Sequence, residues 1–317
     1  MSEHLSAPPG GAGAAARHVA VVVNPAAGKG AGRSAGRHTI ELLRRAGARV
    51  TDASGDSVAA ARTRAEAAIE AGADTLCVVG GDGTAHLGVN LTAGRTVHLA
   101  LVPTGTGNDF ARNLGLPLRD PEAVVSLIRA GHTRRVDAGR VCTPGDRRWF
   151  GGVLGAGFDA VVAARAEAMR WPRGQLRYGL AILRELPVFR PIPYVVECDG
   201  ERIETRAMLV AVANTASFGG GMRICPDADP TDGRFDVLIL HEVSVPRFLR
   251  VFPTVYSGRH VSHPYVEIRR AVRVRLEAVG VRAQADGEPF APLPVEVEVV
   301  PGALRVVAPR PPSPGPR

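Results

Sequence analysis

The stretch DTLCVVGGDGT, residues 74–84, decides how the first half of the chain folds. Its apolar run ends in glycines and an aspartate, a pattern typical of a buried strand that leads into a ligand-binding loop. The stretches HVAVVVNPAAGKG (18–30) and HLALVPTGTGND (98–109) repeat this pattern on either side. Helix-like segments separate the three strands, and strands that alternate with helices predict a parallel sheet whose ligand loops share one edge.

The pattern changes after about Asp137. Segments such as PYVVECDGERIE (193–204), GRFDVLIL (233–240) and AVRVRLEA (271–278) alternate apolar and polar residues, which predicts antiparallel strands. The Asp-Gly pair in ECDGER favours a tight hairpin turn. One helical stretch over about 160–186 interrupts this half. We therefore predict an α/β N-terminal nucleotide-binding domain, with a parallel sheet and helices, and a mainly antiparallel, β-sandwich-like C-terminal domain.

The pattern also suggests domain boundaries. We place the α/β domain at residues 17–138 and the β-rich domain at residues 139–308, whose last strand could pack back on the first domain. Residues 1–16 and 309–317 are rich in Pro, Gly and Ala. Segments of that composition bury too little apolar surface to fold, so we expect disordered tails.

Composition narrows the classes of partner. Of the 317 residues, 45% are hydrophobic and 22% are charged, which is ordinary for a globular protein. The formal net charge of +8 suits an anionic membrane, a nucleic acid or a phosphorylated ligand, and it also suits a merely basic surface. Only 5% of the residues are aromatic and the basic residues are dispersed, so we expect no nucleic-acid partner.

The sequence also bears on the compartment. The four cysteines form no CxxC pair, which argues against a zinc site and a disulfide framework. The N-terminus has no basic start followed by an apolar stretch, and nowhere do about 18 apolar residues follow one another. We therefore expect a cytoplasmic protein that could also lie peripherally on the inner face of the membrane.

Three Gly-rich loops follow apolar strands: NPAAGKG (24–30), GGDGT (80–84) and PTGTGND (103–109). Glycines let the backbone approach an anion and donate N–H groups to phosphate oxygens. One such loop could be a plain turn, whereas three on one edge of a sheet predict a nucleotide site. None of them has the spacing of a Walker A loop or of the GxGxxG fingerprint, so the site is not of the common kinds.

Three further motifs lie in the second half: GAGFDA (155–160), NTASFGGGMRICPDADPTDGRFDV (214–237) and ADGEPF (285–290). Together with the three loops they resemble the diacylglycerol kinase catalytic family, in particular the soluble bacterial lipid kinases related to sphingosine and ceramide kinases. The resemblance runs in order from about Arg17 to Pro309. GGDGT alone is shared with NAD kinases and phosphofructokinases, but its combination with TGTGNDFAR and DGE is specific.

The resemblance implies an ATP- and Mg²⁺-dependent lipid kinase that transfers the γ-phosphate of ATP to a lipid hydroxyl, such as that of diacylglycerol. Asp286 matches the family's general base, and Glu288 is its close companion. A carboxylate within hydrogen-bond reach can take the proton of a hydroxyl as the new bond forms. The positions that match ATP contacts are Asn24, Pro25, Gly28, Thr51, Gly80, Gly81, Asp82, Gly83, Thr84, Thr106 and Asn108.

The resemblance also implies two Mg²⁺ sites. Asp82, Asp109 and Asp137 match the carboxylates of the catalytic Mg²⁺ network. Mg²⁺ prefers oxygen ligands and keeps several waters, so one or two carboxylates near a phosphate loop are enough. A second, structural site is implied by the carboxylate of Asp232, with backbone carbonyls as co-ligands. Those carbonyls belong to Asp229 and Arg234.

The helix after GGDGT departs from the family. Many relatives have an Asn-Glu pair where this chain has His86 and Leu87, and the loss of that Glu could weaken support of the metal network. His86 is either a phosphate contact or a structural histidine. The segment 169–190 mixes arginine with aromatic residues, so it either flanks a lipid entrance or packs on the second domain with its arginines solvated.

Other functions stay open at the level of sequence. A kinase of a soluble acceptor such as NAD shares GGDGT, and a non-catalytic nucleotide- or lipid-sensing module would fit the missing Glu. The expected partners are ATP, a lipid substrate and an anionic membrane surface, with a homodimer as a further option because related enzymes often form one. Generic apolar residues line lipid pockets, so the sequence does not name the lipid.

Overall fold

A computed structural model describes residues 17–143, 146–158 and 190–309. Between the last two segments it also describes Val162, Arg165, Met169, Leu180, Ala181, Arg184 and Glu185. The helix predicted over 160–186, the segment 169–190 and the predicted tails lie wholly or mainly outside the described residues.

The N-terminal domain is a parallel sheet with helices, as predicted. Its strands lie in the order β2–β1–β3–β4, and each pair is parallel. The helices pack on both faces, over two clusters of buried aliphatic side chains. Its elements are β1 (His18–Val23), α1 (Ala31–Arg45), β2 (Arg49–Asp52), α2 (Val58–Glu70), β3 (Thr75–Gly80), α3 (Asp82–Thr92), β4 (His98–Pro103), α4 (Asp109–Asn113) and α5 (Pro121–Ala130), with a 3-10 turn over Ala27–Gly30.

Local signals in the sequence explain where several of these helices begin and end. The hydroxyl of Ser57 accepts the N–H of Ala60 and caps α2. Asp120 caps α5 in the same way, and Pro121 occupies its first turn. Gly131 ends α5 with a φ of 67°, a left-handed conformation that glycine adopts without strain.

The C-terminal domain is mainly antiparallel, again as predicted. The ECDGER turn joins β8 to β9 with φ of 49° at Asp199 and 91° at Gly200, which is the tight hairpin expected of Asp-Gly. The strands of the C-terminal domain are β5 (Thr133–Thr143), β6 (Asp146–Phe150), β7 (Val153–Gly157), β8 (Ile192–Cys198), β9 (Glu201–Ala213), β10 (Phe235–His241), β11 (Val266–Ala271), β12 (Arg273–Glu277), β13 (Arg282–Ala285), β14 (Glu288–Pro292) and β15 (Val295–Val307).

A short helical segment of this domain escaped sequence prediction. It comprises α6 (Val245–Val251) and two 3-10 helices, Phe252–Ser257 and Arg259–Ser262. Its inward side chains, such as Phe248 and Val255, are buried. The segment therefore packs as a cap on the second domain.

Strand β15 belongs to both domains. Its first half pairs antiparallel with β12, as in Glu298 opposite Arg273. Its second half pairs parallel with β4, as in Val306 opposite Leu99. Strand β5 runs antiparallel to it along both halves. Backbone hydrogen bonds therefore continue from one domain into the other, which holds the facing loops of the two domains in a fixed relation.

Candidate active site

The three Gly-rich loops meet at the carboxyl ends of β1, β3 and β4. Nδ2 of Asn24 donates to Oγ1 of Thr84 at 3.4 Å, which ties the first loop to the second. Gly28 has a φ of 59°, and a Cβ added there would lie 2.1 Å from a carbonyl oxygen of the third loop. A Cβ on Gly105 would lie 2.7 Å from Cα of Gly81, so the second and third loops also pack closely. The same loops contain Pro25, Gly80, Gly83, Thr106 and Asn108.

Asp82 is the residue that closes the third loop onto the second. It begins α3, and its carboxylate accepts the backbone N–H groups of Asn108 at 2.9 Å and Asp109 at 2.8 Å. Asn108 has a φ of 55°, a left-handed conformation that asparagine tolerates. Its side chain bonds both backbone groups of Gly105, at 3.0 and 2.9 Å. The loop is therefore preorganised around one carboxylate.

Asp109 connects this loop to the C-terminal domain. Its carboxylate accepts the N–H groups of Gly220 at 2.8 Å and Gly221 at 3.0 Å, both in the FGGG motif. Burial raises the pKa of Asp82, the negative charge of Asp109 raises it further, and the backbone hydrogen bonds to Asp82 only partly offset the rise. Two neighbouring carboxylates that repel each other in this way form a site that favours a cation.

Asp286 reaches the cleft from the C-terminal domain. It occupies the turn between β13 and β14, where φ is 53° at Asp286 and 84° at Gly287, the geometry of a two-residue hairpin. Its Oδ2 accepts the N–H of Gly151 at 2.9 Å, and its Oδ1 accepts those of Gly152 at 2.8 Å and Val153 at 3.1 Å. Nδ1 of His86, which lies on α3, is 3.1 Å from Oδ2. Three backbone N–H groups and one imidazole nitrogen therefore position the carboxylate of Asp286.

Glu288 follows Asp286 on the same hairpin and points to the other domain. A Cβ placed on Gly83 would lie only 2.6 Å from Oε1 of Glu288. The hairpin therefore brings both predicted acids, Asp286 and Glu288, to the GGDGT loop.

A cleft of about 1080 Å³ separates these groups, and both domains line it. Asp82, Asp109 and Asp286 are among its lining residues, whereas no arginine or lysine of the described part of the chain is. Phe218 lines one end of the cleft and also lines an adjoining cavity of about 950 Å³. That second cavity is walled almost entirely by apolar side chains, among them Phe158, Leu209, Met222, Phe248 and Val255.

Thr51 and Asp137, which were predicted to contact ATP and the catalytic metal, do not line the cleft. Oγ1 of Thr51 lies 2.9 Å from Nε2 of His18, and Thr51 does not line the cleft. Asp137 is 3% exposed, and its carboxylate accepts the N–H groups of Gly233 and Gly302, each at 2.7 Å. The carboxylate whose charge raises the pKa of Asp82 most is Asp109, while Asp137 anchors the PTDGRF loop.

The residues predicted for a second Mg²⁺ site lie together in the PTDGRF loop. Oδ1 of Asp229 accepts both the N–H and the hydroxyl of Thr231, and Oδ1 of Asp232 accepts the N–H of Arg234. Oδ2 of Asp232 pairs with the guanidinium of Arg270. A cation at this loop would have to displace that guanidinium. Among the described residues, no group of three or more His, Cys, Asp or Glu side chains is arranged to hold a metal ion by itself.

Sequence reasoning missed two parts of this site. The first is the cradle of N–H groups at Gly151–Val153, for which the paired glycines after RRWF were the available signal. The second is the partner of His86: the sequence offered a phosphate contact or a structural histidine, whereas the ring lies against the carboxylate of Asp286. Leu87, which replaces the family Glu, is 6% exposed and packs into the core of the N-terminal domain.

Comparison with known proteins agrees with this architecture. Residues 18–141 match the family described as the diacylglycerol kinase catalytic domain, and residues 152–308 match the YegS C-terminal NAD kinase beta sandwich-like domain. A diacylglycerol kinase of Mycobacterium tuberculosis is 40% identical over 294 residues, which cover 92% of this chain and 95% of the relative. A diacylglycerol kinase of Bacillus subtilis is 29% identical over 298 residues, which cover 92% and 96%.

Solved structures share the fold. The crystal structure of a diacylglycerol kinase from Bacillus anthracis superposes with a TM-score of 0.68 at 19% identity, over 93% of this chain and 98% of its own. Another solved chain from that organism gives a TM-score of 0.75 at 22% identity, with the same coverage. These identities support the fold alone.

The chain belongs to the diacylglycerol kinase catalytic family of bacteria. It is a kinase, with an α/β domain and a β-sandwich-like domain that together form the cleft. Among the described residues, none of the helices combines the length and apolar character needed to cross a bilayer.

Proposed function

We propose that this kinase transfers the γ-phosphate of ATP to the hydroxyl of a lipid alcohol, with diacylglycerol as the leading acceptor. The observation that carries the proposal is the apolar cavity of about 950 Å³, which shares Phe218 with the cleft that contains Asp286. Ligand sites are typically concave and lined mainly by apolar side chains. An acyl chain in the apolar cavity would leave its polar end beside the carboxylates.

The Gly-rich loops support ATP as the donor. Thr106 lines the carboxylate cleft and also a recess of about 1180 Å³ on the other side of its loop. Ala31 and Pro121, the first residues of α1 and α5, line that recess together with Gly28. Helix N-termini and glycine backbone attract phosphate groups. We therefore assign the triphosphate to the path from this recess past Thr106 into the cleft.

Asp82 and Asp109 fit a divalent metal ion, and we propose Mg²⁺. Their charges repel each other, and a cleft that the described residues line with three carboxylates and no arginine or lysine would repel a bare triphosphate. A bound Mg²⁺ would neutralise charge on the triphosphate and bridge it to these carboxylates. We assign Asp137 to the same metal network as a more distant member, which would act through the PTDGRF loop that it anchors.

Asp286 is the proposed general base. Three backbone N–H groups hold its carboxylate in place, while 13% of its side chain stays exposed to receive the acceptor hydroxyl. As the alcohol oxygen bonds to phosphorus, the hydroxyl proton passes to this carboxylate, and ADP leaves with the bond electrons of the β–γ bridge. Glu288, against Gly83, would keep the hairpin aligned with the GGDGT loop.

The helical cap over the apolar cavity is the proposed contact with an anionic membrane. Residues 243–266 contain no Asp or Glu, whereas Arg247, Arg250 and Arg259 are exposed. Leu249 and Tyr256 are exposed on the same cap, by 42% and 47%. Basic and apolar side chains on one short helical surface bind anionic bilayers. The kinase would thus take its lipid directly from a membrane surface.

The test is a phosphotransfer assay with radiolabelled ATP and Mg²⁺. The acceptor panel contains diacylglycerol, a monoacylglycerol, sphingosine, an isoprenoid alcohol and NAD, and the control variant is Asp286→Asn. We expect one lipid class to be labelled and the variant to lose at least about a hundredfold in kcat. Labelling of NAD but of no lipid would favour a soluble acceptor, and tight ATP binding without any transfer would favour a sensing module. Sedimentation of the same preparation would test whether the chain forms the homodimer that the sequence left as an option.

A further inference from the structure

His86 lies between the two domains, next to Asp286, the proposed base. It lies on α3, one helical turn beyond Asp82, and its side chain is 14% exposed in the cleft. Its Nδ1 is 3.1 Å from Oδ2 of Asp286, a residue 200 positions away in the chain. Four groups of the described residues contact this carboxylate. One is the side chain of His86, and the other three are the backbone N–H groups of residues 151–153.

Asn90 fixes which imidazole nitrogen of His86 bears the proton. Oδ1 of Asn90 accepts the N–H of Trp149 at 3.0 Å, and Nδ2 donates to the carbonyl of Trp149 at 2.9 Å. These two bonds set the orientation of the amide, because exchanging O and N would oppose donor to donor and acceptor to acceptor.

The amide nitrogen of Asn90 also lies 3.1 Å from Nε2 of His86 and 3.0 Å from the His86 carbonyl oxygen. An amide nitrogen only donates, and its two hydrogens already face the carbonyl oxygens of Trp149 and His86, so a proton on Nε2 would oppose donor to donor. The proton of the neutral ring is then on Nδ1, where it points to Asp286. The backbone of Trp149 therefore orients the amide of Asn90, and that amide determines the tautomer of His86.

We propose that His86 is a positioning residue for Asp286. Locked as the neutral Nδ1–H tautomer by Asn90, it donates to Oδ2 and sets the angle at which the carboxylate meets the acceptor hydroxyl. The inference rests on the proposed function, in which Asp286 is the base. One segment of the C-terminal domain, residues 149–153, then positions the base in two ways. Residues 151–153 donate N–H bonds to it directly, and Trp149 acts on it through Asn90 and His86.

The geometry of the side chains supplies a sharp test. In asparagine, the amide group branches from Cγ as Nδ1 does in histidine, so His86→Asn can still place an N–H donor on Asp286. Glutamine places its amide nearer the position of Nε2, and leucine has no donor. We expect His86→Leu and His86→Gln to lower kcat by about tenfold to a hundredfold, with the KM values for ATP and lipid little changed, and His86→Asn to recover most of the loss.

His241 offers a matched control, because it also pairs with a carboxylate, Glu267, at 2.9 Å but lies outside the cleft and the apolar cavity. His241→Leu should leave kcat unchanged. Equal losses in the Leu, Gln and Asn variants of His86, or wild-type kcat in His86→Leu, would overturn the inference. Asp286→Asn, assayed in parallel, separates the two proposals: if that variant stays active, the assignment of the base itself has failed.

Discussion

Oε1 of Glu288 lies 2.6 Å from the point where a Cβ would stand on Gly83, so the ADGE hairpin of one domain touches the GGDGT loop of the other. Gly83 is in the first turn of α3, where alanine is favoured by about 1 kcal/mol. Because Glu288 is exposed, it can swing aside when a methyl group is added. We expect Gly83→Ala to keep the thermal midpoint and to lower kcat about tenfold by displacing Glu288.

A double-mutant cycle on kcat checks this expectation. Gly83→Ala, Glu288→Ala and the double variant are compared, and the double variant should fall no further than Glu288→Ala alone. Losses that multiply would mean that the methyl group acts on the loop itself and not through Glu288.

The raised pKa of Asp82 predicts how activation by metal depends on pH. Burial, and then the charge of Asp109, keep the proton on Asp82 up to a higher pH than is usual for aspartate. A proton competes with a cation for the carboxylate, so activation by Mg²⁺ should weaken as pH falls through this raised pKa and be complete only above it.

Mg²⁺ titrations of kcat between mildly acidic and neutral pH measure this effect at saturating ATP. Asp109→Asn removes the second cause of the shift, so the acid limb should move to lower pH, even though the maximal rate falls. Protonation of ATP itself is common to both proteins. An acid limb at the same pH in both would show that Asp109 does not act on Asp82.

The apolar cavity predicts a selective effect on the lipid substrate. Val255 is 7% exposed and lines the cavity. In Val255→Trp the larger ring should fill the space that an acyl chain would take, and we expect the KM for long-chain diacylglycerol to rise about tenfold, at a cost in stability of roughly 1–3 kcal/mol. The KM for ATP should not change. Val279→Trp, at a residue that is 99% exposed, is the matched control; a rise in KM for ATP in Val255→Trp would contradict the assignment of the cavity.

The cap surface predicts a charge-dependent association with vesicles. Arg250 and Arg259 are exposed on it, and each arginine near an anionic bilayer contributes about 1 kcal/mol. Arg250→Gln with Arg259→Gln should weaken binding to phosphatidylglycerol vesicles roughly 30-fold in cosedimentation. Arg62 and Arg45, exposed on helices of the N-terminal domain, give a control pair of equal charge. Equal losses in both pairs would indicate a general effect of net charge.

Much of the fold was predictable because it depends on local signals. The three loops converge since the carboxyl ends of parallel strands share an edge, and each of the two Asp-Gly turns, at Asp199 and Asp286, adopts the positive φ values that the dipeptide favours. Helix α6 was missed because its seven residues contain a proline and too few turns to display a clear period.

The sequence predicted that Asp82, Asp109 and Asp286 would lie near one another, but it did not predict the groups that hold them. Asp286 was identified by its motif, whereas the N–H groups that hold it come from more than 130 positions away. The carboxylate of Asp137 lies near Gly233 and Gly302 because a buried carboxylate needs hydrogen-bond donors. Which donors are close is determined only in the folded chain. No periodicity in the sequence reports such pairings.

The strand shared by the two domains has a consequence for synthesis. Strand β4 has β3 on one side and residues 305–306 of β15 on the other. While the ribosome is still making the C-terminal domain, β4 therefore exposes a bare edge of backbone donors and acceptors, the kind of edge that templates aggregation. The N-terminal domain becomes complete only when β15 emerges, so a fragment ending at Thr143 should associate with copies of itself instead of folding as an independent unit.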